Sequence, residues 1–228
     1  MVSLADTGDI EIVAEVCQSF TLDNGAFTAW KQGTAYDIEK YARLVDDWFR
    51  HPAFDWYCIP DVIDGTEEDN NSMRCAWRNV CPPGAWELGV PVWHMHESLE
   101  SLAYFCVAYK RIAIGSSGQF ATVGNQAWWG RMGEAMRVIC DDEGRPKVKI
   151  HGLRMLDPTV FSHLPLASAD STNVARNIGI DNAWRGTYVP QSREVRAAIM
   201  MERIEGHCSA ARWCTASSGT QQNLELFG

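Results

Sequence analysis

The chain has 228 residues, of which 46% are hydrophobic and ten are tryptophan, and its formal net charge is −9. That length suits one domain, 1–228, with a sizeable core and a flexible tail at 215–228. The charge counts against a non-specific duplex binder, and no run reaches the roughly 20 apolar residues of a membrane span.

The first residues, Met1-Val-Ser-Leu-Ala-Asp6, lack a basic n-region and do not read as a secretory signal. Ile10 to Val16 suits a strand or a short helix. Ser19 to Phe27 reads as a strand running into a glycine turn. Between Asp37 and Arg50, Ile38, Tyr41, Leu44, Val45 and Trp48 recur at helical spacing. Phe54 to Asp61 is the next strand, and Thr66-Glu-Glu-Asp69 opens a helix with acidic residues suited to its N-terminus. Gly89 to His96 follows as a strand, Ser98 to Val107 as a helix, and Arg111 to Gly115 as a strand. Trp128 to Cys140 is helical, with Met132, Met136 and Ile139 in phase. Lys147 to Ile150 and Leu166 to Ala169 are two more strands, and Arg193 to Glu205 is a last helix.

Strand then helix, repeated, predicts an α/β fold with a parallel sheet. Six strands are evident, two fewer than a complete (β/α) TIM-like barrel, so a shortened or incomplete barrel is expected. Polar or glycine ends recur after the strands, at Asp23, Asp61, His96, Gly115, His151 and Asp170. Both barrels and open α/β sheets carry their chemistry at that rim. No GxGxxG or GxxxxGK[ST] motif is present.

The eight cysteines include no CxxC pair and suit reduced thiols in a cytoplasmic protein. His207, Cys208 and Cys214 lack the paired spacing of a structural zinc site, so no metal and no cofactor is expected. His94 and His96 share one side of a strand. With an aspartate they would suit a metal-dependent barrel hydrolase, or they are two hydrogen-bonded interior histidines.

Asp170 is the leading catalytic candidate. It follows an apolar run and is flanked by Ser168, Ala169 and Ser171, which leave room for a ligand, and a carboxylate there can attack a sugar carbon. It equally suits a helix N-cap ahead of Val174. Asp23 likewise sits in Asp-Asn-Gly, a strong turn signal.

Taken together, Leu22-Asp-Asn-Gly-Ala-Phe27, Ile59-Pro-Asp-Val-Ile-Asp64, Ile112-Ala-Ile-Gly-Ser-Ser-Gly118, Ile150-His-Gly-Leu153 and Ser168-Ala-Asp-Ser171 resemble the tRNA-guanine transglycosylase superfamily. The resemblance spans roughly residues 20–177, in family order. It is nearest to the phage and bacterial branch that inserts 7-deazaguanines into DNA. Asn24 and Ala26 replace small family residues, and the family's C-terminal zinc cluster is not evident.

The resemblance implies Asp170 as nucleophile and Asp23 as general acid/base. It implies Asp61, with Asp64 as understudy, as acceptor for the guanine N1 and 2-amino edge. Gly115 and Ser116 would offer groups to the base and Phe27 would stack on it. His151, Gly152 and His96 would complete the substrate site. The implied partners are DNA, single-stranded for preference, and a free 7-deazaguanine base. A non-catalytic guanine-binding module is the remaining alternative. Residues 1–142 hold 10 basic and 21 acidic residues, while 143–214 hold 10 and 7. Lys147, Lys149, Arg154, Arg176 and Arg185 are therefore expected to carry the phosphate contacts.

Overall fold

The computed structural model of the chain describes residues 1–171 and 189–214. Arg176, Arg185, the helix expected after Asp170 and the 215–228 tail lie outside the described residues.

The elements run β1 (Val2–Ser3), α1 (Ile10–Val16), β2 (Phe20–Asp23), α2 (Ala26–Gln32), α3 (Ile38–Trp48), β3 (Phe54–Cys58), α4 (Glu67–Val80), β4 (Gly89–Val90) and β5 (Val92–His94). They continue with α5 (Leu99–Ala108), β6 (Arg111–Gly115), α6 (Gln126–Ile139), β7 (Lys149–Gly152), α7 (Pro158–Phe161), β8 (Ser168–Ala169) and α8 (Arg193–Glu205). Ile10–Val16, open between strand and helix in the sequence, is helical. Local chemistry sets several boundaries. Thr66 and Asp69 form a reciprocal capping box at the start of α4. Gly25 and Gly33, both left-handed, bracket α2 and let the chain leave β2 sharply.

The fold is α/β, with two four-stranded parallel sheets in the orders β1-β2-β3-β4 and β5-β6-β7-β8. Pro91 alone separates β4 from β5. Ile59 donates to Val90 O and Ala113 to Pro91 O, so this interrupted strand passes the pairing from β3 to β6. A proline is tolerated there because a strand break needs no ladder donor.

Strand parity divides the core between a helix-facing side and the opposite face. Phe20, Leu22, Tyr57 and Ile59 pack with α1, α3 and α4, while Trp93, Ile112, Ile114 and Ile150 pack with α5, α6 and α7. The alternate residues Trp56, Cys58, Val90, Val92 and Ala113 form a separate small cluster on the opposite face. Both faces are thus filled, which explains the continuous apolar runs in the sequence. Among the described residues, no helix is long and apolar enough to cross a membrane.

Candidate functional site

The same parity gathers the polar rim. Leu22 pairs with Tyr57, both on the helix-facing side, so Asp23 and Cys58 share the other face. His94 follows Val92 by two and Gly115 follows Ala113 by two, and both join that face. His151 pairs with Ala113 and with Ser168, and Asp170 lies two beyond Ser168. All of these are at or near strand C-termini, and the contacts of Asp61 with His94 and Asn24 bring the loop after β3 to the same rim, so Asp23, Asp61 and Asp170 converge. Each of the three raises the thiol of buried Cys58, after burial itself.

The carboxylates differ in environment. Burial lifts Asp23 to about 6, helped by the charges of Asp61 and Asp170 and opposed by the Ser3 hydroxyl. Ser3 Oγ donates to Asp23 Oδ2 at 2.7 Å across the β1–β2 pairing. An acid of this kind can give or take a proton near neutral pH. Asp170 is also raised by burial, against the backbone N–H of Arg154, which donates to Oδ1 at 2.6 Å. Asp170 N in turn donates to Gly152 O, which fixes the residue to the end of β7.

Asp61 is buried and held from two sides. Asn24 Nδ2 donates to its Oδ1 at 2.7 Å, and His94 Nε2 lies 2.8 Å from its Oδ2. Burial pulls His94 down, but Asp61 and then Glu97 outweigh it, and the net shift is upward. Glu97 itself is raised by burial, and its Oε2 accepts from His94 N. The pair presents Asp61 as an oriented acceptor.

A second polar line approaches Asp170 from below. Arg111 Nη1 donates to Ser168 Oγ at 3.3 Å, and Ser168 Oγ lies 2.9 Å from His151 Nδ1. His151 Nε2 lies 3.9 Å from Asp170 Oδ1. Burial, Arg111 and the Met1 amine depress His151 to about 3, so the ring is neutral.

The other expected residues are placed as follows. A Cβ on Gly115 would lie 3.3 Å from His94 Nδ1, so the glycine admits the imidazole. Ser116 Oγ accepts from Trp128 Nε1 at 2.9 Å. Gly152 is pressed against Leu166 and Met155. His96 is exposed, with Nδ1 2.7 Å from Ser117 Oγ and Nε2 3.0 Å from Gly65 O. His94 and His96 are thus both occupied by protein partners. Among the described residues, no three His, Cys, Asp or Glu side chains gather as metal ligands. Asp64 is exposed. Phe27 lies on the surface of α2 rather than beneath the carboxylates.

Lys147 and Lys149 require a correction. Lys149 opens β7, so both lysines lie at the N-terminal end of the strand, away from the rim at Gly152 and Asp170. Of the expected cations, Arg154 alone among the described residues stands at the rim.

Sequence reasoning missed four contributors. Asn24 looked like a mere substitution in a turn. Ser3 and Glu97 lie in no motif. Tyr36, in the α2–α3 connection, has a buried hydroxyl without a partner among the described residues. Burial, then Asp61 and Asp23, raise it. The Asn-Gly after a strand-end aspartate was the one local signal available.

Comparison with known proteins finds no matching family model, no matching curated protein and no matching solved structure.

Proposed function

We propose that this chain is a base-exchange transglycosylase that replaces guanine in DNA with a 7-deazaguanine, working on a shortened (β/α) barrel. The observation that carries this reading is the convergence of Asp23, Asp61 and Asp170 at one strand-end rim, each in a different electrostatic setting. The strictly sequential parallel strand order supports the barrel, since a doubly wound sheet reverses order at its switch point. The charge of the Met1 amine lowers both His151 and Asp170, which supports β1 lying near β8, as a closed barrel would need.

The chemistry follows the retaining-glycosidase pattern. Ionised Asp170 attacks C1′, the C1′–N9 bond breaks, and neutral Asp23 gives its proton to the departing guanine. A sugar–Asp170 ester remains. The incoming base gives its N9 proton to Asp23, attacks C1′ and releases Asp170. Asp61, held by Asn24 and His94, accepts from the N1 and 2-amino donors of either base. A site built around such an acceptor discriminates strongly, because a wrong base leaves it unpaired.

The test is incubation with guanine-containing DNA and labelled free guanine. Label is expected in the polymer, with an intact-mass increase for the covalent intermediate. Absence of both from active-concentration protein would overturn the reading. Matched tRNA, labelled in place of DNA, would reassign the polymer.

A further inference from the structure

Phe27 and Trp30 are three residues apart on α2 and share its outer face. They are 43% and 47% exposed, and their rings are in contact, tilted by 39° with centroids 5.5 Å apart. The Arg154 guanidinium lies 5.5 Å over Phe27. This group is built into the carboxylate rim. Gly25, at φ +75, starts α2 two residues after Asp23. Arg154 itself adopts φ +62, rare for a residue with a Cβ, and its N–H is fixed on Asp170.

From Arg154 the surface continues into a cleft of about 1250 Å³ lined also by Trp129, His163, Arg212 and Trp213. Trp129 and His163 meet edge to face at 6.1 Å. Asp157 also lines the cleft, but its carboxylate is turned to cap α7 through Thr159. Among the described residues neither Arg154 nor Arg212 has a carboxylate within 4 Å, though the Arg154 charge lowers Asp170, in a chain of net charge −9.

We infer that this surface, from Phe27 and Trp30 through Arg154 to Arg212, is a track for a single-stranded polynucleotide. A base flanking the reacting nucleotide stacks on the aromatic pair, and the two guanidinium groups take phosphates on either side. Alternating flat π-faces and cations match the alternation of base and phosphate in a single strand. A duplex hides its base faces, and a neutral glycan offers the arginines no negative charge. The choice of nucleotide in the centre rests on the base-exchange reading, while the track's own contacts are indifferent to base.

The test therefore uses an oligonucleotide without guanine. Anisotropy of labelled oligothymidylate is measured with the full chain at several salt concentrations. Binding is expected to fall with salt and to quench tryptophan fluorescence. Phe27→Ala with Trp30→Ala should weaken it about tenfold or more. Arg154→Gln should weaken it and lower the salt slope by about one contact. Lys147→Glu with Lys149→Glu should leave it unchanged. Trp30→Leu keeps apolar bulk and serves as a second variant should the double change unfold. Melting curves verify each protein.

Equal binding by wild type and the aromatic variants would overturn the track. So would equal displacement of oligothymidylate by an acidic peptide or a neutral oligosaccharide. Intact oligothymidylate binding without base exchange would leave the track standing and count against the exchange reading alone.

Discussion

Asn24 ties two strand ends together through Asp61. Its Nδ2 donates to Asp61 Oδ1 at 2.7 Å and to Ile59 O at 3.0 Å, while its Oδ1 accepts from Ala26 N at 2.8 Å. The β2 rim, the start of α2 and the base-reading carboxylate are thereby set by one side chain.

Asn24→Ala should cost stability and loosen selectivity together. It strands the Ile59 carbonyl and the Ala26 N–H and leaves Asp61 to His94 alone, a loss of about 2–4 kcal/mol. Asn24→Asp should be worse, since it cannot donate and sets a second charge against Asp61. Urea denaturation gives the stability change, and competition between guanine and adenine analogues gives the selectivity. A variant with wild-type discrimination would free Asp61 from this support.

Asp23→Asn should stabilise the protein at high pH. The folded carboxyl titrates at about 6, above its ordinary 3.8, so folding favours the neutral form. The unfolded chain ionises first as pH rises, and stability falls between about 4 and 6 and stays lowered above that. Asparagine avoids this penalty, a gain on the order of 3 kcal/mol at pH 8 that vanishes near pH 3.5. Unfolding free energies of both proteins at the two pH values provide the check. An equal difference at both would remove Asp23 as the source, and exchange should be lost in the variant whatever the stability.

Much of the strand order was legible because each buried strand is an apolar run ended by a turn residue. β1 escaped notice because two residues carry no period, and α2 because Asp-Asn-Gly reads as a turn that continues as coil. Asp23 and Asp170 were visible as strand-end carboxylates. Their modifiers were not, because Ser3–Asp23 and Arg111–Ser168 contacts join residues 20 and 57 positions apart. The lysine error has a simple geometric source. Residues adjacent in sequence are about 3.3 Å apart along a strand, so Lys149 and Gly152 lie at opposite ends of β7.

The two rim glycines should respond differently to alanine. At Gly152 a Cβ would meet Met155 Cβ and Leu166 Cδ1 at 2.9 Å, so overpacking should cost about 1–3 kcal/mol. At Gly115 it would sit 3.3 Å from His94 Nδ1 and Val92 Cγ1. A few tenths of an ångström of retreat suffices there, so Gly115→Ala should melt within a few degrees of wild type. Its imidazole displacement should instead appear as reduced base exchange. Equal melting losses in both would show that the His94 contact is no tighter a constraint on function than on packing.

Asp170 separates structure from chemistry most cleanly. Its Oδ1 accepts the Arg154 N–H that accompanies the φ of +62, and that oxygen survives in Asp170→Asn. Asparagine should therefore keep stability within about 1 kcal/mol, whereas Asp170→Ala should lose about 1–2 kcal/mol as a hydrogen bond is deleted. Both must fail to form the sugar adduct, because neither retains a nucleophilic carboxylate. In wild type, burial raises Asp170, so adduct formation should decline on acidification through that raised value. Transfer of a proton from Asp23 should give a second, alkaline limb near pH 6. Asp23→Asn should remove the alkaline limb and leave the acid one in any residual rate. Intact-mass spectrometry of the quenched reaction reads the adduct directly. An adduct on Asp170→Asn would move the nucleophile to another carboxylate, with Asp23 the first to examine.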